Sequence, residues 1–282
     1  MRIKVSYRAD YHYESTVSFS PHTFRLFPKP DRFVNVRGVK FKTNAAADVQ
    51  YRRDMFDNEI AVCFYPEKGR DLKSTLTMDL ELRVKNPFHF LLESHALDFP
   101  FKYLPREQDA LLPFLKPRSA KPSAMLPFWK PEPGPLVSAL VGLNDAIHKS
   151  IRYERRDEGV AREPAETLAL GAGACRDFSV LLAETLRANG IAARLASGYL
   201  CEFGTKEKRA EGALHAWVEA YLPGAGWVGF DPTNGTLCNH YHITAAVGLV
   251  PDDITPVSGS YYNKTRVAST MDASLKLTRD GK

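Results

Sequence analysis

Strict alternation marks the first hundred residues. Ile3, Val5 and Tyr7 are separated by polar positions, and Val34, Val36, Val39 and Phe41 flank Gly38. In STLTMDLELRV, Leu76, Met78, Leu80, Leu82 and Val84 form one apolar face. A period of two is that of a half-buried antiparallel strand. Met55 to Ile60 reads as a hairpin turn with Asp57-Asn58 at the bend, because these side chains accept turn dihedrals. No helical period of substance precedes about residue 106, so residues 1–110 are expected to form an antiparallel β-sandwich-like domain.

The period lengthens from residue 136. Leu136, Leu140, Leu143, Ile147 and Ile151 fall at helical spacing. PAETLAL, from Pro164, predicts a short helix with proline in its first turn. CRDFSVLLAETLRANG predicts a stronger one, with Phe178, Leu181, Leu182 and Leu186 as its stripe and Gly190 at its C-terminal cap. Strands follow at ARLASGYL, across HAWVEAYLPGAGWVGFD, and near HITAAVGLV and SLKLT. Residues 136–282 are therefore expected to be an α+β domain, helices first and an antiparallel sheet after. Between the domains, residues 112–136 hold seven of the nineteen prolines. Proline fixes φ and lacks a donor, so neither helix nor central strand is expected there. Residues 111–135 read as a stiff linker whose Phe114, Phe128 and Trp129 lie against a surface.

The hairpin His215–Asp231 has a register that can be argued from its pattern. Ala216, Val218 and Ala220 form one face of the first strand, and Val228 and Phe230 the matching face of the second. Apolar residues should meet apolar ones, since a one-residue slip inverts every side chain. Val218 is then opposite Phe230, Ala220 opposite Val228, and the turn runs from Pro223 to Ala225. That register puts Asp231 on the face of His215, within diagonal reach. The alternative buries an unpaired carboxylate among apolar side chains. Upstream, Cys175 follows Gly171 and Gly173 and stands at the start of a predicted helix. Unpaired N–H groups and the helix dipole at such a place favour a thiolate. A cysteine so placed, with a histidine oriented by an acid, is the arrangement for nucleophilic thiol catalysis. A lone buried cysteine packing as a small hydrophobe is the plain alternative.

Composition narrows the field modestly. The 282 residues are 44% hydrophobic and 25% charged, ordinary for a globular protein, with a net charge of +5. Basic runs interleaved with aromatics are missing, so nucleic acid is not an expected partner. The N-terminus lacks a secretory signal's apolar core, and no apolar run has membrane-spanning length. A cytoplasmic location without membrane association is expected. Cys63, Cys175, Cys201 and Cys238 are far apart and form no CxxC, so free thiols and no zinc site are expected.

The blocks GACRDFSVLLAETLRANGIAARLASGY and HAWVEAYLPGAGWVGFDPTNG together resemble the bacterial transglutaminase-like superfamily, with its Cys, His and Asp blocks in order. The first half resembles the β-rich domain that precedes this core in bacteria. The resemblance implies a papain-like cysteine-enzyme fold for the second domain, with Cys175 as nucleophile, His215 as base and Asp231 as orienting acid. It implies a peptide or protein substrate attacked at an amide carbonyl, by a peptidase or amidase, a transglutaminase or another acyl transferase. A non-catalytic peptide-binding module is the reading from a different class. One departure is Gly248-Leu249-Val250, where relatives often carry a Gly-Arg-Asp-Tyr-like run, and it bears on the wall of the cleft. No metal or organic cofactor is expected.

Other residues invite weaker readings. Trp217 and Trp227 suit a substrate groove or the packing of the sheet, and with Tyr199 they are the candidate substrate-binding residues. Arg176 and Asp177 suit a pair that braces the helix. His240 and His242 have a metal-compatible spacing without a third ligand, so structural or surface roles are expected. The run CEFGTKEKRAEGAL, residues 201–214, reads as a mobile loop gating the site.

Overall fold

The computed structural model describes residues 1–44, 48–119, 126–156, 159–201, 209–211 and 213–279. Six strands open the chain: β1 (Arg2–Phe19), β2 (His22–Phe24), β3 (Val34–Thr43), β4 (Asp48–Arg53), β5 (Glu59–Phe64) and β6 (Gly69–Leu82). As the alternation predicts, Ile3, Val5, Tyr7, Leu76, Met78, Leu80 and Leu82 are buried. Val84 departs from that face: β6 ends at Leu82, and Val84 is 82% exposed. The expected bend joins β4 to β5, with Asp57 at φ +59°, a left-handed conformation that Asp tolerates.

The middle of the chain supplies β7 (Asp98–Phe99), α1 (Pro105–Leu115), β8 (Gly134–Pro135), α2 (Leu136–Ser150), β9 (Arg152–Tyr153), α3 (Pro164–Leu170), β10 (Ala172–Gly173) and α4 (Cys175–Ala188). The expectation that proline bars helix from residue 112 onward is corrected by α1, which contains Pro113. Pro105 opens that helix, where a missing N–H is harmless. The Glu107 carboxylate accepts the Leu104 N–H at 2.9 Å. Pro113 falls in the last turn, where it interrupts little of the ladder. The aromatic residues of this stretch do lie against a surface. Phe114 meets the Trp227 ring edge-on at 5.0 Å, and Trp129 is buried beside Phe99.

Nine strands complete the chain: β11 (Ala193–Leu200), β12 (Arg209–Glu211), β13 (Ala213–Leu222), β14 (Gly226–Asp231), β15 (Thr236–Leu237), β16 (His242–Gly248), β17 (Val257–Ser258), β18 (Tyr261–Tyr262) and β19 (Ser269–Arg279). The fold is α+β. A five-stranded antiparallel sheet, ordered β15-β14-β13-β11-β16, packs α2 and α4 onto one face through Leu140, Leu143, Phe178, Leu181, Ala216, Val218 and Phe230. The hairpin has the register its pattern requires: Val218 faces Phe230, Ala220 faces Val228, and residues 223–225 turn.

Two of the other sheets form a sandwich of β12-β19-β1-β6-β3 against β17-β2-β5-β4, with one core between them. A boundary running from residue 136 to the C-terminus is corrected here. β19 pairs with β1 from Ile3↔Arg279 to Tyr13↔Ser269, and β17 pairs with β2. The chain leaves the sandwich, builds the second sheet and returns. In β19 only Leu275 and Leu277 are buried, a pattern that marks a strand without naming its partner. The sandwich core also takes in Tyr199, Cys201, Ile243 and Ala245 from β11, β16 and their surroundings. Among the described residues no helix is long and apolar enough to cross a membrane.

Candidate active site

Cys175 is the first residue of α4, and the chain before it is fixed from several sides. β9 and β10 run parallel, with the Arg152 N–H on the Gly171 carbonyl and the Glu154 N–H on the Gly173 carbonyl. The fully buried Asp177 carboxylate accepts the Ala174 N–H at 2.8 Å and the Arg162 N–H at 2.8 Å. The Arg156 guanidinium reaches both of its oxygens, at 2.7 and 3.0 Å. Asp177 thus does brace the helix, but through Arg156 and the backbone. A Cβ on Gly173 would lie 2.8 Å from the Asp177 Cβ, so this position must be glycine for the carboxylate to sit beneath the loop.

The half-buried Cys175 thiol hydrogen-bonds to His215. The His215 Nε2–H donates to Asp231 Oδ2 at 2.8 Å, which leaves Nδ1 for the sulfur. Burial alone would raise the thiol; the hydrogen bond and charge of His215, the Ala216 N–H and Arg176 outweigh it and hold Cys175 below its usual range. Burial alone would lower His215; its bonds to Asp231 and Cys175 push it up to about 10. Asp231 is fully buried, yet its donors hold it well below the usual carboxylate range. The ground state favoured by these shifts is a thiolate beside an imidazolium.

Asp231 is held as firmly as the residues it serves. Its Oδ1 accepts the Thr233 and Asn234 N–H groups at 3.0 and 3.2 Å. Its Oδ2 accepts Asn234 Nδ2–H at 2.7 Å, His215 at 2.8 Å and His242 Nε2–H at 3.1 Å. From α2, the buried Asn144 donates to the carbonyls of Asp231 and Thr236, both at 3.3 Å. His148 Nδ1–H donates to the Thr233 carbonyl at 2.8 Å. These contacts bind the turn after β14 to the helix packed against it.

Two models of known families match the chain: the transglutaminase-like superfamily over residues 129–232, and the bacterial transglutaminase-like N-terminal region over residues 3–81. The chain carries a transglutaminase-like core preceded by a bacterial transglutaminase-like N-terminal region. An uncharacterised protein of Mycobacterium tuberculosis is 28% identical over 299 aligned residues, covering 97% of this chain and 91% of that protein. One from Mycobacterium leprae is 34% identical over 123 residues, covering 43% of each. The crystal structure of a candidate cysteine protease from Cytophaga hutchinsonii has a TM-score of 0.70 to this transglutaminase-like chain, at 20% identity. It covers 98% of this chain and 90% of its own, so the two share a fold along nearly their whole length.

The three expected substrate-binding residues of the transglutaminase-like core do not gather at the thiol. Tyr199 is fully buried in the sandwich core, its hydroxyl donating to the Leu26 carbonyl at 2.8 Å. Trp217 is 1% exposed; it stacks on the His215 ring and meets His242 edge-on, bracing both imidazoles. Trp227 pairs with Tyr221, ~20 Å along the strand from His215 at ordinary strand rise, and carries the Arg194 guanidinium over its ring. His240 accepts the Lys85 N–H, so the two histidines part company.

His242 and Asn144 were not legible as site residues. Asn144 did leave a signal: it is a polar residue inside the apolar stripe of α2. Cys201 and Cys238 are buried and pushed up by burial, Cys201 to about 12, as inert thiols should be. Of the expected gating loop, residues 202–208 and 212 lie outside the described residues, while Arg209–Glu211 pairs with β19 and β13 begins at Ala213, so strand replaces loop there.

Proposed function

We propose that the protein is a thiol-dependent hydrolase that cleaves an amide or peptide bond in a peptide or protein substrate through a thioester on Cys175. The carrying observation is the continuous relay from the Cys175 thiol through His215 to Asp231, with the thiol lowered and the imidazole raised. Cys175 sulfur attacks the carbonyl carbon, and the Cys175 N–H at the helix start faces the developing oxyanion. The His215 imidazolium gives its proton to the departing amine as the C–N bond breaks. Water then attacks the thioester while His215 takes its proton, and the acid leaves with the thiolate restored. Asp231 keeps the Nε2–H tautomer and favours the imidazolium. These steps call on no cofactor. The fold shared with a candidate cysteine protease is in line with this reading.

The test is the pH dependence of iodoacetamide alkylation at each cysteine, read by peptide mass spectrometry. Cys175 is expected to label near pH 6, ahead of Cys63, Cys201 and Cys238, and His215→Ala is expected to slow it at least tenfold. Labelling that rises only toward pH ~8.5 would mean an ordinary thiol and overturn the reading. With glutamine-containing peptides and a labelled amine, acid product supports hydrolysis. Amide product carrying the label would reassign the second step to transamidation.

A further inference from the structure

Asp231 Oδ2 accepts three donors, from His215, Asn234 and His242. A carboxylate oxygen offers about two lone-pair sites, so the three share what two would fill. His242 meets Asp231 through Nε2. Its Nδ1 accepts the Asn239 N–H at 3.3 Å, which requires that nitrogen to be unprotonated and makes Nε2–H the tautomer facing Asp231. The side chain is 2% exposed and fixed by the edge of Trp217, with ring centroids 5.5 Å apart. The Asn239 carbonyl also accepts the His242 N–H, so the same short turn holds both backbone and ring.

We propose that His242 is a positioning residue for the reaction: a neutral donor that shares the orienting carboxylate with His215 and so weakens the hold of Asp231 on the imidazolium. The inference rests on Cys175, His215 and Asp231 being the reacting set. A hydrogen bond to the charged form of a carboxylate lowers its basicity. Each donor on Oδ2 therefore leaves less negative charge for His215. The imidazolium must surrender its proton to the leaving amine, and one held too firmly is a poor general acid. Asn234, tethered beside Asp231 in the chain, fixes the carboxylate; His242 comes from β16 and sets how strongly it pulls.

Around this cluster stand Cys175 and Arg176 from α4, His215 from β13 and Cys238 from the segment after β15. Arg176 acts on the thiol, and Glu219 and Lys85 act on Cys238 with opposite sign.

Two variants separate the two ring nitrogens. His242→Gln brings an amide N–H to the place of Nε2; His242→Asn brings an amide oxygen to the place of Nδ1 and leaves Asp231 one donor short. Alkylation of Cys175 against pH gives a lower step, where the thiolate–imidazolium pair forms, and an upper step, where the imidazolium loses its proton. In His242→Asn the lower step is expected to move down and the upper step up, widening the interval by about one pH unit. His242→Gln is expected to keep the wild-type interval. On a turned-over peptide, His242→Asn should lower kcat and leave KM in place.

Equal profiles for the two variants would overturn the proposal, as would a wild-type interval in His242→Asn. A wild type without the lower step would overturn the function itself instead. One measurement needs no variant: ¹⁵N shifts of the wild-type His242 imidazole. These should report Nε2–H with a bare Nδ1 at neutral pH, and a protonated Nδ1 there would overturn the proposal.

Discussion

Cys175 and His215 share one proton in the native state, and this determines how the pair couples folding to pH. Unfolded, the histidine loses its proton near pH ~6.5 and the thiol near ~8.5. Between those values the native pair is thiolate with imidazolium and the unfolded pair is thiol with neutral imidazole, one proton in each, so the pair adds no slope. Above pH ~8.5 the unfolded state holds no proton, while the native state keeps one until about pH 10, so stability falls as pH rises. Below pH ~6.5 the unfolded state holds two protons against one, and stability falls as pH drops. Cys175→Ala removes the compensation. Its His215 is still raised by Asp231, so its contribution is complete below pH ~6.5 and is lost as pH climbs. Urea denaturation should show the variant losing on the order of 1–3 kcal/mol relative to wild type between pH 6 and 9. Parallel profiles would mean that the native thiol is not ionised by the histidine. At this scale the sequence was legible where local rules bind: a cysteine opening a helix, and an aspartate that only one register spares from apolar burial. His242 was not legible, since its distance from Asp231 depends on a turn and a strand that return from β14 by way of β15.

α4 delivers the thiol only while its first turn is held in place. Asp177 accepts three hydrogen-bonding partners there and is fully buried, so it acts on the whole segment from β9 to α4. Asp177→Ala strands the Arg156 guanidinium and frees the Ala174 and Arg162 N–H groups. Breaking one side of such a pair typically costs about 3–5 kcal/mol. The loss should appear in thermal denaturation together with slower Cys175 alkylation at pH 6. Gly173→Ala should imitate both effects, because its Cβ would displace the same carboxylate. Retention of the wild-type alkylation rate by either variant would separate the loop from the thiol. Element boundaries in the hairpin and α4 followed from period and cap. α1 is hidden by its prolines, whose density argues against helix, whereas one proline at the first position and one in the last turn leave the intervening bonds intact.

The sandwich shares its core with β11 and β16 through Tyr199 and Ile243, and a hairpin adds a second tie to the sheet that carries His215. At the tip of β4–β5, Asn58 Nδ2–H donates to the Val247 carbonyl at 2.8 Å and Asn58 Oδ1 accepts the Val247 N–H at 2.9 Å. A single side chain thereby pairs β16 as a neighbouring strand would. Beside it, Phe56 packs on the cluster of Ala196, Trp217, Cys238 and Val247, and Trp217 lies against His215. No sequence period could have disclosed this, because the contact joins a turn to a strand almost two hundred residues later, and turn residues carry no face. It predicts that the two sheets unfold together. Asn58→Ala leaves both buried Val247 groups unpaired, a cost of roughly 2–4 kcal/mol. All three tryptophans, Trp129, Trp217 and Trp227, are outside the sandwich strands, so their fluorescence reports the other half. In guanidinium, Asn58→Ala should move the tryptophan transition and the far-ultraviolet dichroism transition to lower denaturant by the same amount. Asn35→Ala, on the exposed edge of β3, should stay within ~0.5 kcal/mol of wild type. A tryptophan transition left in place by Asn58→Ala would mean that the sheet carrying His215 and His242 stands without the sandwich, and that the hairpin contact is a docking of two independent bodies. A common shift would make the sandwich part of the apparatus that holds the imidazoles.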